Sequence, residues 1–179
     1  MRRLILSAVL CAAALPVLSQ SAVPEPQLPE AFFGLSDNRL VPLERETAAI
    51  HASGGGFIVA KSRAVYEIPG AKSPVRFHSG APVVFLIRSA LAQLSIDPST
   101  QYMLRRLDSK KKDREIVFMT GHFSPVGSSS QTDFNAGQIA VSFARVGESS
   151  YQVTASSLPP GEYALSRSYG QDMFCFGVD

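Results

Sequence analysis

The sequence predicts an all-β protein, and three features of it do so. From Phe32 onward, short apolar runs are broken by turn residues about every 8 to 12 positions, the punctuation of a sandwich or barrel. Large and small side chains alternate through Ile139, Val141 and Phe143, and again through Tyr151, Val153 and Ala155. At the period of a strand, that alternation puts the large side chains on one face. No stretch carries a long apolar stripe of period 3.6, so helix is confined to single turns.

The elements follow in order. Phe33-Gly34-Leu35 and Leu40-Val41-Pro42-Leu43 flank Ser36-Asp37-Asn38-Arg39, which predicts a hairpin. Strands are expected at Phe57 to Ala60 after a triple glycine, Ala64 to Ile68 before Pro69-Gly70, Val75 to His78 before Ser79-Gly80, and Val83 to Arg88. Glu44 to Ala52 and Ser89 to Ile96 are each expected to form a helical turn. Tyr102 to Leu107 and Glu115 to Thr120 bracket the polar stretch Asp108 to Arg114, as hairpin arms bracket a tip. Gly121 to Gly137 reads as a long Ser/Gly-rich loop. Ile139 to Ala144 and Tyr151 to Ala155 follow as strands around a Gly147-to-Ser150 turn. The last strand, Met173 to Val178, points Phe174, Phe176 and Val178 one way and Met173, Cys175 and Gly177 the other. Both faces are apolar, so both are expected to be covered.

Ahead of these strands, Met1-Arg2-Arg3, the apolar run Leu4 to Leu15 and the small-residue stretch Val17 to Ala22 have the order of a secretory signal peptide. The run is shorter than the roughly 20 residues that a membrane-spanning helix needs. Cleavage is expected between Gln20 and Val23. Cys11 lies within the apolar core behind the bulky Leu10, which argues against lipidation. Three prolines in Val23 to Pro29 favour an extended tether. The organisation read from the chain is a signal peptide at 1–22, a proline-rich arm at 23–31 and a single domain at 32–179.

Without Arg2 and Arg3 the 17 basic residues become 15, matching the 15 acidic ones. A formally neutral mature chain has no global field to gather nucleic acid or an anionic membrane, so any such binding must come from a local patch. Without Cys11, Cys175 stands alone. An internal disulfide is then ruled out, and Cys175 is expected to behave as a buried small hydrophobe in a monomer.

Leu158-Pro159-Pro160-Gly161-Glu162-Tyr163-Ala164-Leu165 resembles the corner before the penultimate strand of immunoglobulin-like and fibronectin type III sandwiches. The resemblance covers about the last 40 residues. It implies an immunoglobulin-like antiparallel β-sandwich in which the Tyr163 ring packs in the core and its hydroxyl bonds backbone just upstream. The usual core Trp and paired cysteines of antibody-type domains are absent.

Arg105, Arg106, Lys110, Lys111, Lys112 and Arg114 concentrate basic charge within ten residues. They form either a clamp for an anionic envelope polymer, a lipid headgroup or nucleic acid, or a solvated hairpin tip, partly neutralised by Asp108 and Asp113, whose lysines guard a sheet edge. Lys72, Ser73 and Arg76 offer a smaller anion-receiving turn without the spacing of a phosphate loop. Met119, His122, Met173 and Cys175 invite a copper reading, but at period two Met119 and Thr120 face opposite ways and no Met- or His-rich cluster supports them. His51, His78 and His122 accompany many serines without a nucleophile elbow or a metalloprotease helix.

These observations point to a bacterial, secreted or periplasmic, non-catalytic binding or envelope-associated module. No cofactor, metal or nucleic acid is expected; the partner is an envelope component or another protein. The alternative is a periplasmic enzyme or copper-handling protein on the same scaffold.

Overall fold

The computed structural model describes residues 24–179 apart from Phe57, Val59, Leu91, Ser95 and Tyr169. The signal peptide expected at 1–22 lies outside the described residues, as does part of the strand expected at 57–60. The remainder folds as an all-β protein of two sheets, one of five strands and one of ten.

The smaller sheet is built from β1 (Phe32–Ser36), β2 (Arg39–Pro42), β7 (Val83–Arg88), β12 (Ser142–Arg145) and β13 (Ser150–Ala155), in the order β12-β13-β7-β1-β2. Asp37 and Asn38 both take positive φ, 49° and 59°, and close the predicted β1–β2 hairpin in two residues. Asp and Asn tolerate that conformation better than bulkier residues, which is why the chain reverses there.

The larger sheet runs β3-β15-β14-β8-β9-β5-β4. Its strands are β3 (Glu44–Thr47), β4 (Ala49–Gly55), β5 (Ala60–Pro69), β8 (Tyr102–Ser109), β9 (Asp113–Ser124), β14 (Gly161–Arg167) and β15 (Asp172–Val178). Three short strands join it: β6 (Arg76–Phe77) on β15, β10 (Gly127–Thr132) on β9 and β11 (Gln138–Ile139) on β8. All pairings between named strands are antiparallel except the two-residue β6–β15 contact.

Two apolar layers result. Phe32, Phe85, Ile87, Tyr151 and Val153 of the smaller sheet meet Leu104, Tyr163, Leu165, Phe174 and Phe176 of the larger one. On the other face of the larger sheet, Met173, Cys175, Ala164 and Leu107 pack with Ile116 of β9 and Ile68 of β5, strands of the same sheet. The sheet therefore curls into a half-barrel and covers its own second face. That curl is why β15 is apolar on both sides: Phe174, Phe176 and Val178 enter the inter-sheet layer, while Met173 and Cys175 enter the half-barrel.

The corner forms as expected, with the Tyr163 hydroxyl donating to the Pro159 carbonyl at 2.6 Å and its ring fully buried against Phe176. Other expectations fail. Glu44 to Ala52 forms no helical turn but lies in β3 and β4, because β3 pairs with β15 and β4 with β5, satisfying backbone groups that would otherwise lie open. Gly121 to Gly137 is not one loop: β9 continues to Ser124, Pro125-Val126 turn the chain, and β10 returns along it. Ile139, Val141 and Phe143 do share a core-facing side, but the chain changes sheets between β11 and β12, so they do not form one strand. The helical turn expected within Ser89 to Ile96 does form, as a 3₁₀ turn at Ala92–Leu94. The proline-rich segment is no free tether, since Glu30 N–H donates to the Arg88 carbonyl at 2.7 Å and the Glu25 carboxylate accepts from Ser150 Oγ at 2.6 Å.

Candidate functional site

The six basic residues singled out in the sequence do not come together. Arg114 and Arg105 are both buried, the first with no exposure. Arg114 forms a two-pronged pair with Glu44 at 2.8 and 3.2 Å and donates to the Gly70 and Pro69 carbonyls at 2.8 and 2.7 Å. Burial alone would push its guanidinium pKa down, but the Glu44 bonds and the neighbouring negative charges, Glu44 and Glu162 among them, together outweigh it and the pKa rises. Arg105 points into the half-barrel, over the Tyr66 ring and onto the Phe134 carbonyl, and its burial lowers its pKa. Arg106 reaches the Pro160 carbonyl, and Lys110 pairs with Glu115 at 2.9 Å. Lys111 and Lys112 remain exposed at the β8–β9 turn.

The smaller anion-receiving turn is occupied by the protein's own carboxylates. Arg76 bonds Glu162 and Asp179, and Ser73 N–H donates to Glu162 at 2.8 Å. Arg76 lies so close over β15 that a Cβ at Gly177 would have to displace its guanidinium from the carboxylates it pairs with. The soft-metal candidates are also apart: Met173 and Cys175 are in the core, whereas His122 is exposed. No group of three or more His, Cys, Asp or Glu side chains able to hold a metal occurs among the described residues.

A more open hollow lies elsewhere. Beyond the closed half-barrel, β4, the start of β5, the end of β9 and β10 continue as a four-stranded arm in the order β4-β5-β9-β10. The change occurs at a register shift between Ala64 and Val65 opposite β9, where Phe118 becomes the extra residue. Such bulges bend a strand and redirect its side chains. Phe118 stacks between Tyr66 and Phe134 at centroid distances of 4.7 and 5.9 Å, which fixes the base of the arm.

A hollow of about 790 Å³ crosses the arm, lined by residues 53–55, 61–63, 120–122 and 129–131. The registers place these in cross-strand rows. Gly55, Lys61, His122 and Ser129 form one row, and Ser53, Arg63, Thr120 and Gln131 the next. Spaced by two along each strand, both rows share a face. Arg63 also donates to Glu115 at 2.6 Å; burial would raise the Glu115 pKa, but the bonds from Lys110 and Arg63 prevail and lower it. Lys61 makes no ion pair among the described residues.

Neither 51–66 nor 116–132, which supply most of the arm, contains an acidic residue. The arm is thus a local cationic surface, with hydroxyl and amide groups beside the charges. Sequence reasoning missed it because β4 was expected to be a helical turn and β10 a loop. The paired acid-free stretches were the available signal.

A second hollow, of about 520 Å³, includes Glu30, Arg45, Arg167 and Asp172. Its charges are matched internally, Arg167 to Glu30 at 2.7 Å and Arg45 to Asp172 at 2.9 Å.

Fold and site together define an all-β, two-sheet protein whose larger sheet curls into a half-barrel and extends into an exposed polar arm. No family model, curated protein or solved structure matches the chain.

Proposed function

We propose that the protein is an exported, non-catalytic binding module of the bacterial cell envelope, and that its binding surface is the acid-free arm. The observation that carries this reading is the pair of cross-strand rows, which set Lys61, Arg63 and His122 among Ser53, Thr120, Ser129 and Gln131. Lys61 and Arg63, spaced by strand geometry and flanked by short hydrogen-bonding groups, suit an extended, anion-bearing envelope component. The open hollow would admit a chain passing across it.

The corner formed by Pro159 and Tyr163 supports placing the paired sheets in the immunoglobulin-like class, with the curled sheet and arm as its elaborations. The leader-like start supports secretion or delivery to the periplasm.

The test is nuclear magnetic resonance titration of the protein lacking residues 1–22 with dextran sulfate fragments. Shifts confined to the arm, weakening as salt screens the charges, are expected. Shifts concentrated on Lys111 and Lys112, or the absence of salt-dependent binding, would overturn the assignment of the site. Chemical turnover of a bound envelope component would overturn the non-catalytic reading.

A further inference from the structure

We propose that the arm docks on an anionic lipid bilayer, with its end entering the headgroup region. This rests on the reading of the arm as the binding surface and names the envelope component it meets. The geometry is that of two turns side by side. Because Ala60 pairs with Phe123, the β4–β5 turn and the β9–β10 turn lie at the same end of the arm.

That end is apolar and uncovered: Ile58 is 69% exposed, Phe123 58% and Val126 98%. Pro125 shares the second turn, where it withholds an N–H that would need a partner away from water. The next cross-strand row inward carries Lys61 and His122, and Arg63, itself paired with Glu115, lies in the third row, beyond Ser62 and Gly121. Apolar side chains at the tip, with cations one and three rows behind, match the depth profile of a lipid surface, where acyl chains lie beneath a layer of phosphates. A soluble polyanion would use the cations but leave the apolar tip in water. Entry is shallow, because the backbone groups of the arm's outer strands, β4 and β10, are unpaired on their free edges and cannot lie bare in hydrocarbon.

The formal neutrality of the chain without its leader does not oppose this docking. A bilayer responds to charge within about a Debye length, roughly 10 Å at 0.1 M salt, and the acid-free arm is what it would meet. A basic side chain near an anionic surface contributes about fivefold in partitioning.

The experiment is vesicle co-sedimentation of the protein lacking residues 1–22, since the leader's own apolar run would partition. Vesicles of phosphatidylcholine alone are compared with vesicles carrying roughly one-third phosphatidylglycerol. Binding is expected to the second kind. Replacing both Ile58→Ser and Val126→Ser should weaken it about tenfold or more at low and high salt alike. Lys61→Gln should weaken it about fivefold at low salt, with the loss shrinking as salt rises. All three side chains are exposed, and unchanged circular dichroism would confirm that each variant folds.

If the tip variant binds vesicles as well as the parent does, insertion is wrong. If the protein binds dextran sulfate through the arm but neither kind of vesicle, the lipid assignment falls while the binding arm stands. If it binds neither, both fail.

Discussion

Strands β5 and β9 each run through two environments, and the difference between them shows what stabilises this protein and what it leaves available. Between Val65 and Pro69, β5 lies in the closed half-barrel, where Ile68 is fully buried and Arg114 on β9 sits opposite it. Between Ala60 and Arg63, the same strand lies in the arm, whose outer strands β4 and β10 are exposed throughout. In the body, backbone pairing is reinforced by two apolar layers and a buried charge network. In the arm, it is supported mainly by the hydrogen-bond ladder and the aromatic stack at its base. Cooperative stability resides in the first region, and open polar surface in the second.

The sharpest way to break this contrast is Arg114→Ala. It leaves the Glu44 carboxylate and the Gly70 and Pro69 carbonyls without their donor at a buried site, and should cost about 3–5 kcal/mol. Denaturant unfolding measures it. A loss as small as that of a surface residue would mean that the network contributes little to closing the half-barrel.

Cys175→Ser tests the same interior from the apolar side and should cost about 1–3 kcal/mol, because a hydroxyl replaces a thiol in an apolar site. The native thiol should resist alkylation until the protein is denatured. Burial pushes its pKa up to about 12 from an ordinary value near 9. The unfolded chain therefore releases this proton first, so stability should fall as pH rises above about 9. Cys175→Ala should remove that part of the alkaline decline, as a pH series of melting curves would show. Rapid native-state labelling would place the thiol at the surface and contradict the double burial of β15.

Tyr163→Phe addresses the corner alone. Loss of the bond to Pro159 should lower stability by about 1–2 kcal/mol, and an unchanged melting temperature would remove the corner from the account of the fold. The smallest effect is expected in the arm, where Lys61→Ala should shift stability by less than about 0.5 kcal/mol. The comparison sharpens if amides of β4 and β10 exchange with solvent faster than those of β14 and β15, as separate local openings require. Equal protection would mean that arm and body open as one unit.

The sequence alone carried the fold class, because alternation of side chains and turn chemistry are local. Tyr151, Val153 and Ala155 announce a half-buried strand without reference to any partner, and Ser36-Asp37-Asn38-Arg39 announce a hairpin turn in the same way. The double apolar face of β15 was legible too, along with its consequence for Cys175. Only the tertiary structure decided which strands meet. Twisted strands accumulate curvature across a sheet, and the curl that brings β5 and β9 over Met173 and Cys175 joins residues as far apart in the chain as Ile68 and Cys175. That curl takes Arg105 and Arg114 out of a run that reads as a basic surface. Past the bulge at Phe118, it releases β4 and β10 into the arm. A local period can say which side chains share a face; whether that face meets solvent depends on what the rest of the chain lays against it.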